Sequence, residues 1–227
     1  MKSSQSESSV SKQPAARTVV IAIDGTSGSG KSTIAKALAR HYGFVHVDTG
    51  SMYRAVTWHC LQRGTDCSDA AAVVRGMREM KSDFRLCDGR IVMFINGADP
   101  GEALRSEAVT QNVSLVARVP EVRTWLVAQQ RALLRFGSLV MEGRDIGSVV
   151  FPETPFKFYV DADPAVRAAR RAGDGYADQV TQRDQLDTTR KVSPLVVSPG
   201  ACLVDTGKNT PPQTLALVLA ELKRRGL

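Results

Sequence analysis

Residues 25–33 read GTSGSGKST and directly follow the apolar, β-branched run VVIAI at 19–23. A strand feeding a glycine-rich loop that opens a helix is the context in which GxxxxGK[ST] cradles phosphate. Few patterns restrict a fold so narrowly, because the loop must let successive N–H groups and a helix N-terminus converge on one anion. Gly25, Thr26, Ser27, Gly28, Ser29, Gly30, Lys31, Ser32 and Thr33 are therefore candidates to hold a nucleoside triphosphate. Lys31 would reach the β and γ phosphates, and Ser32 would offer its hydroxyl to magnesium. The other reading of such a stretch is a glycine-rich turn that binds nothing.

A chain of 227 residues can bury one substantial α/β core with a small appended lobe. Residues 1–17, serine-rich and poor in large apolar side chains, read as a disordered tail. No run of eighteen apolar residues and no hydrophobic N-terminal segment occur, so neither a membrane span nor a secretory signal is expected, and the expected location is the cytoplasm. The four cysteines lack paired metal-ligand spacing and are assigned no chemistry. Thirty basic against twenty-three acidic residues leave +7, which suits nucleic acid, anionic lipid or a phosphorylated small molecule. Arginines recur singly or in pairs along the whole chain, which favours several of them converging on one small polyanion over a stripe along a duplex.

Strands are expected at about 18–24, up to Asp48 in FVHVD, at 139–141, at 157–161 and at 202–205. Helices are expected at 31–42, from Thr49 or Ser51 as cap to about 63, and at 106–117, 120–136, 164–172, 180–190 and 211–225. This alternation predicts a three-layer α/β domain with a five-stranded parallel sheet, whose ligands sit beyond the carboxyl ends of the strands. Between 64 and 101 the pattern changes to a helix at 70–80 and two short apolar runs flanking Asp88-Gly89, a strong hairpin signal. That stretch reads as a small insertion separate from the main sheet.

Six segments, IAIDGTSGSGKST, DTGSMYR, SLVARVPEVR, EGRDIGSVVFP, RAARR and RDQLDTTRKVSPL, occur in this order from residue 21 to 195. Together they resemble the bacterial cytidylate (CMP) kinases, a branch of the nucleoside monophosphate kinases. The resemblance implies a P-loop NTPase fold for residues 18–227, with a mobile NMP-binding insertion at 64–101 and a short lid at about 164–190. It implies ATP-dependent phosphorylation of CMP, with dCMP as a second acceptor, by a cytoplasmic monomer that uses Mg2+ and engages neither nucleic acid nor membrane. Arg54, Arg144 and Arg190 would hold the acceptor phosphate, a role suited to bidentate, permanently charged guanidinium groups. Ser114, Arg123 and Asp145 would face the cytosine ring, Arg183 and Asp187 the ribose hydroxyls, and Thr49 and Tyr53 would line the acceptor site. Arg167, Arg170 and Arg171 resemble lid arginines that fold over ATP, and Glu142 resembles an acid beside magnesium-bound water. For Arg54, Arg144 and Arg190 a plain surface ion pair is the competing reading, and for Arg183 with Asp187 an ordinary helical one.

An acceptor phosphate loses its second proton near pH ~6, so its attacking oxygen needs no general base. His41, His46 and His59 accordingly receive no role. Only the eleven residues 172–182 separate Arg171 from Arg183, a short lid that would admit water and waste ATP. Two other readings compete: a small-metabolite kinase of the shikimate kinase type, and a nucleotide-gated nucleic-acid-binding module with LVME at 139–142 as a Walker-B-like strand.

Overall fold

The computed structural model describes residues 18–173, 180–190 and 192–227, with the side chains of 180–183 left out of that set. The tail at 1–17 and the centre of the lid lie outside the described residues. Strand β1 (Val20–Gly25) is fully buried and lies at the heart of the sheet. It pairs in parallel with β5 (Leu139–Gly143) on one side and β6 (Phe156–Asp161) on the other. β2 (Val45–Asp48) joins β5 in parallel, and β7 (Cys202–Asp205) joins β6.

Seven strands, not five, make up this sheet, in the order β3-β4-β2-β5-β1-β6-β7. The two additional strands, β3 (Ser82–Cys87) and β4 (Arg90–Ile95), are the hairpin at Asp88-Gly89. Both turn residues have positive φ, 49° and 75°, as a type I′ turn requires. The insertion is also not separate from the main sheet, because β4 continues it through a parallel bridge between Arg90 and His46. Sequence pattern marks a hairpin but not the edge it pairs with, which depends on a long-range register.

Alternation along β1 divides the core. Ile21 and Ile23 pack with Ile34 and Leu38 of α1 (Lys31–Tyr42) and with Val218 and Leu222 of α8 (Pro211–Arg224). Ala22 faces the other way, into a larger cluster built by four helices. These are α2 (Thr49–Gln62), α3 (Ala70–Glu79), α4 (Glu107–Val116) and α5 (Pro120–Ala132). Helices thus cover both faces, the three-layer arrangement expected of a mostly parallel sheet. Asp48, rather than Thr49 or Ser51, caps α2 by accepting from Ser51 N. The stretch expected as one helix at 120–136 ends its α-helical part at Ala132 and tightens into a 3-10 turn, Leu133–Phe136. A π-helical turn, Ile146–Val150, follows β5 where no helix was expected. Beyond β6 come α6 (Pro164–Gly173) and α7 (Val180–Thr188).

Candidate active site

The carboxyl ends of β1, β2 and β5 open into a cavity of about 570 Å3. Ser27, Lys31 and Ser32 form one end, and Arg54, Ser114, Arg123, Arg144, Asp145 and Arg190 form the other. Residues up to 163 positions apart in the chain therefore share one chamber, because parallel strands end on the same edge.

At the loop end, Gly25 has φ 149°, and a Cβ there would meet the Val160 carbonyl oxygen at 1.9 Å. Only glycine lets the chain leave β1 against β6. The N-terminus of α1 has Gly30 as its cap, with no side-chain cap bond and no acidic residue in its first turn. A helix N-terminus of this kind can present its first N–H groups to an anion from solution. Lys31 is buried and donates to the Thr26 carbonyl, with Ser29 Oγ at 3.5 Å. Thr26 Oγ1 donates to Asp161, and Ser29 O accepts from Thr206, so the loop is tied to the ends of β6 and β7. Thr33 is exposed on the helix surface.

At the other end, Arg123 is 2% exposed and ion-paired with Asp145, and its Nη1 donates to the Ala117 carbonyl at 3.2 Å. Its guanidinium lies 5.4 Å from the Tyr53 ring centroid, and burial pushes the Tyr53 hydroxyl up to about 12. Arg144 Nε and Arg190 Nη2 donate to opposite oxygens of Asp187, the former at 2.7 Å. Arg54 donates to Leu104 O at 3.1 Å and Thr110 Oγ1 at 3.0 Å. Thr49 lines the cavity, and its hydroxyl donates to the Glu142 carbonyl at 2.7 Å, which fastens α2 to β5. Gly143 must be glycine for the same approach, since a Cβ would lie 2.6 Å from Thr49 Oγ1.

The lid arginines separate. Arg171 lines the cavity, whereas Arg167 is buried, ion-paired with Asp184 and donating to Ala162 O and Ser27 O. Arg170 donates to both oxygens of Thr206. Asp184 of α7 also accepts from Ser27 N at 3.1 Å, which draws α7 onto the phosphate loop. The side chain of Arg183 lies outside the described residues.

Two acids were under-read from the sequence. Glu142 accepts from Ser32 Oγ at 2.6 Å and faces His46 Nε2 at 2.9 Å. Burial acts to raise its carboxyl, but the bonds from His46 and Ser32 and the nearby Lys31 outweigh burial and hold it below the ordinary range. Its cross-strand neighbour Asp48 moves the opposite way, raised by burial and by the Glu142 charge. The hard oxygens of Ser32 and Glu142 fit a divalent cation that prefers oxygen ligands. No cluster of three His, Cys, Asp or Glu suited to a metal occurs among the described residues, so such a cation would lean on phosphate and water oxygens.

Asp24 at the end of β1 accepts from Ile146 N at 2.7 Å and Gly147 N at 2.8 Å, which orients the turn after Asp145. Burial nevertheless raises its carboxyl from the ordinary 3.8 to about 6. Between those values the folded chain holds a proton that the unfolded chain has lost, so this group's share of stability is present below 3.8 and lost as pH rises through about 6. Thermal melts across that window should show Asp24→Asn with a flatter pH slope than the parent; identical slopes would contradict the assignment.

The family described as cytidylate kinase matches residues 21–224. The chain belongs to the cytidylate kinase family. A cytidylate kinase of Lactiplantibacillus plantarum is 42% identical over 201 residues, covering 82% of this chain and 86% of that protein. One from Pelotomaculum thermopropionicum is 40% identical over 89% of this chain and 95% of that protein, and one from Mycobacterium leprae is 40% identical over 91% and 96%. Among solved structures, an unliganded sugar kinase from Janibacter superposes with a TM-score of 0.50 at 15% identity, over 91% of this chain and 95% of that chain. That likeness speaks to the fold alone. As a cytidylate kinase family member, the chain has its phosphate loop and its arginine cluster where two phosphorylated molecules could meet. No helix among the described residues is long and apolar enough to cross a membrane.

Proposed function

We propose that this protein transfers the γ-phosphoryl group of ATP to CMP, and to dCMP, giving CDP or dCDP. The observation that carries the reading is that the phosphate loop and the Arg123–Asp145 pair open into one cavity in a chain of the cytidylate kinase family. Residues 18–227 form one P-loop NTPase domain in this reading, with 64–101 as the acceptor-binding lobe and about 164–190 as the lid. It works as a cytoplasmic monomer on free nucleotides, without nucleic acid or membrane.

ATP lies with its phosphates on the N–H groups of 26–33 and on Lys31. Arg54, Arg144 and Arg190 grip the acceptor phosphate; Asp187 already holds two of them on one carboxylate and, with Arg183 four residues earlier in the chain, takes the ribose hydroxyls. Asp145 accepts from the cytosine amino group while Arg123 and Ser114 donate to the ring acceptors, a set that a purine would leave unpaired. Thr49 and Tyr53 close the wall of this pocket. The acceptor oxygen attacks in line, with no side chain needed to remove a proton, and Lys31, Arg144, Arg171 and Arg190 neutralise the charge that spreads over the transferring group. Arg167 and Arg170 act from behind the loop, fixing its shape. Ser32 and Glu142 would hold Mg2+, which supplies charge neutralisation at the phosphates when bound.

The test is ADP formation from ATP and magnesium with CMP, dCMP, UMP, AMP and shikimate offered separately, plus a blank without acceptor. Fast turnover with CMP and dCMP alone is expected, over a measurable blank from the short lid. A preference for shikimate or AMP would overturn the base-pocket assignment.

A further inference from the structure

His46 has no task in the transfer described above, yet it is buried and lines the same cavity. It is 7% exposed, and its Nε2 lies 2.9 Å from Glu142 Oε1. An ionised carboxylate can only accept, so Nε2 carries the proton and donates. The other carboxylate oxygen, Oε2, takes the Ser32 hydroxyl at 2.6 Å. Each oxygen of Glu142 thus has one donor, and swapping or losing either would leave a buried acceptor unmet.

The mounting of the two side chains is unequal. The His46 backbone is gripped from both sides, by Val140 of β5 and Arg90 of β4, and its N–H donates to Gly89 O at 2.9 Å. Glutamate carries three side-chain torsions at the open end of a strand, and their freedom has to be removed for Oε2 to stay beside Ser32. Lys31 is close enough to pull on the same carboxylate. Released from His46, Glu142 would regain that torsional freedom, and Oε2 would no longer be held beside Ser32.

We propose that His46 is a positioning residue that clamps Oε1 of Glu142, so that Oε2 stays with Ser32 where a divalent cation enters with ATP. The proposal rests on the placement of Mg2+ made above. It gives the β3–β4 hairpin a second link to the donor half of the site, since Gly89 and Arg90 hold the strand that carries the imidazole. Losing a partner that orients a metal-side ligand weakens metal response by about 10- to 100-fold.

Calorimetric titration of ATP, with and without Mg2+, into the parent, His46→Leu and His46→Gln tests it without relying on turnover. His46→Leu should bind metal-free ATP like the parent but lose about 10- to 100-fold of the magnesium-dependent gain in affinity. His46→Gln, whose amide can still donate to Oε1, should recover most of that gain. A leucine variant with the full gain, or a glutamine variant no better than leucine, would overturn the proposal. Should the leucine variant not fold, His46→Asn, whose shorter amide falls short of Oε1, takes its place on the same readout, and a full gain in that variant overturns the proposal. A parent protein whose ATP binding ignores Mg2+ would instead refute the cation placement itself, and the clamp with it.

Discussion

Lys31→Ala is expected to lower kcat with every acceptor by on the order of 10²- to 10³-fold or more, the loss seen when one fixed donor to a charged transition state is removed. Lys31 is buried at the mouth of the loop with its ammonium held on the Thr26 carbonyl, so it is aligned before a nucleotide arrives. Arg167 and Arg170 cannot replace it, being engaged with Asp184 and Thr206. The fold should survive the change, because alanine is a strong helix former at this first position of α1. Removing the ammonium also deprives Asp24 of a charge that lowers its carboxyl, which should move that group further upward. Initial rates of ADP formation with saturating CMP and ATP give the answer, and a rate within a few-fold of the parent would refute the role.

Asp145→Ala should produce the largest loss of stability, alongside loss of discrimination among pyrimidine acceptors. Arg123 is 2% exposed and has Asp145 as its carboxylate partner; after the change its guanidinium keeps the Ala117 carbonyl and the Tyr53 ring but no counter-charge from Asp145. Stranding a buried charge costs about 3–5 kcal/mol. For a chain of this size that corresponds to a melting midpoint lower by roughly 6–20 °C. Removing both charges should do less harm than removing one, because the penalty comes from the uncompensated guanidinium. Arg123→Met combined with Asp145→Ala should therefore melt higher than Asp145→Ala alone, while failing equally to recognise cytosine. Melts of the three proteins test this, and a double variant less stable than the single one would show that the pair stabilises the fold in its own right.

These expectations differ in how early they were available. Lys31 was readable from nine consecutive residues, because the strand, the loop and the helix that give the lysine its task are all local. Asp145 and Arg123 were paired only through resemblance to a family; their 22-residue separation says nothing about contact, and the burial of the guanidinium, which makes the pair a stability determinant, required α5 to pack against the turn after β5. His46 was dismissed with the other histidines. The alternation in FVHVD already placed it in phase with Asp48, but its target lies on another strand. Only the β2–β5 register, with Asp48 opposite Glu142, brings the imidazole to that carboxylate.

By itself the sequence determined the α/β class, the helix and strand order, the phosphate loop and the Asp88-Gly89 hairpin, because periodicity, β-branching and turn chemistry act within a few residues of one another. Tertiary structure alone decided that the hairpin extends the sheet to seven strands, that the hydroxyl of cavity-lining Thr49 bonds β5, and that Arg167 and Arg170 donate to the loop and to Thr206. It also decided the opposite shifts of Asp48 and Glu142, which depend on burial and on neighbours 94 or more positions away in the chain. Such facts arise from pairing and desolvation between distant segments, and those interactions come into being only when the parallel strands align.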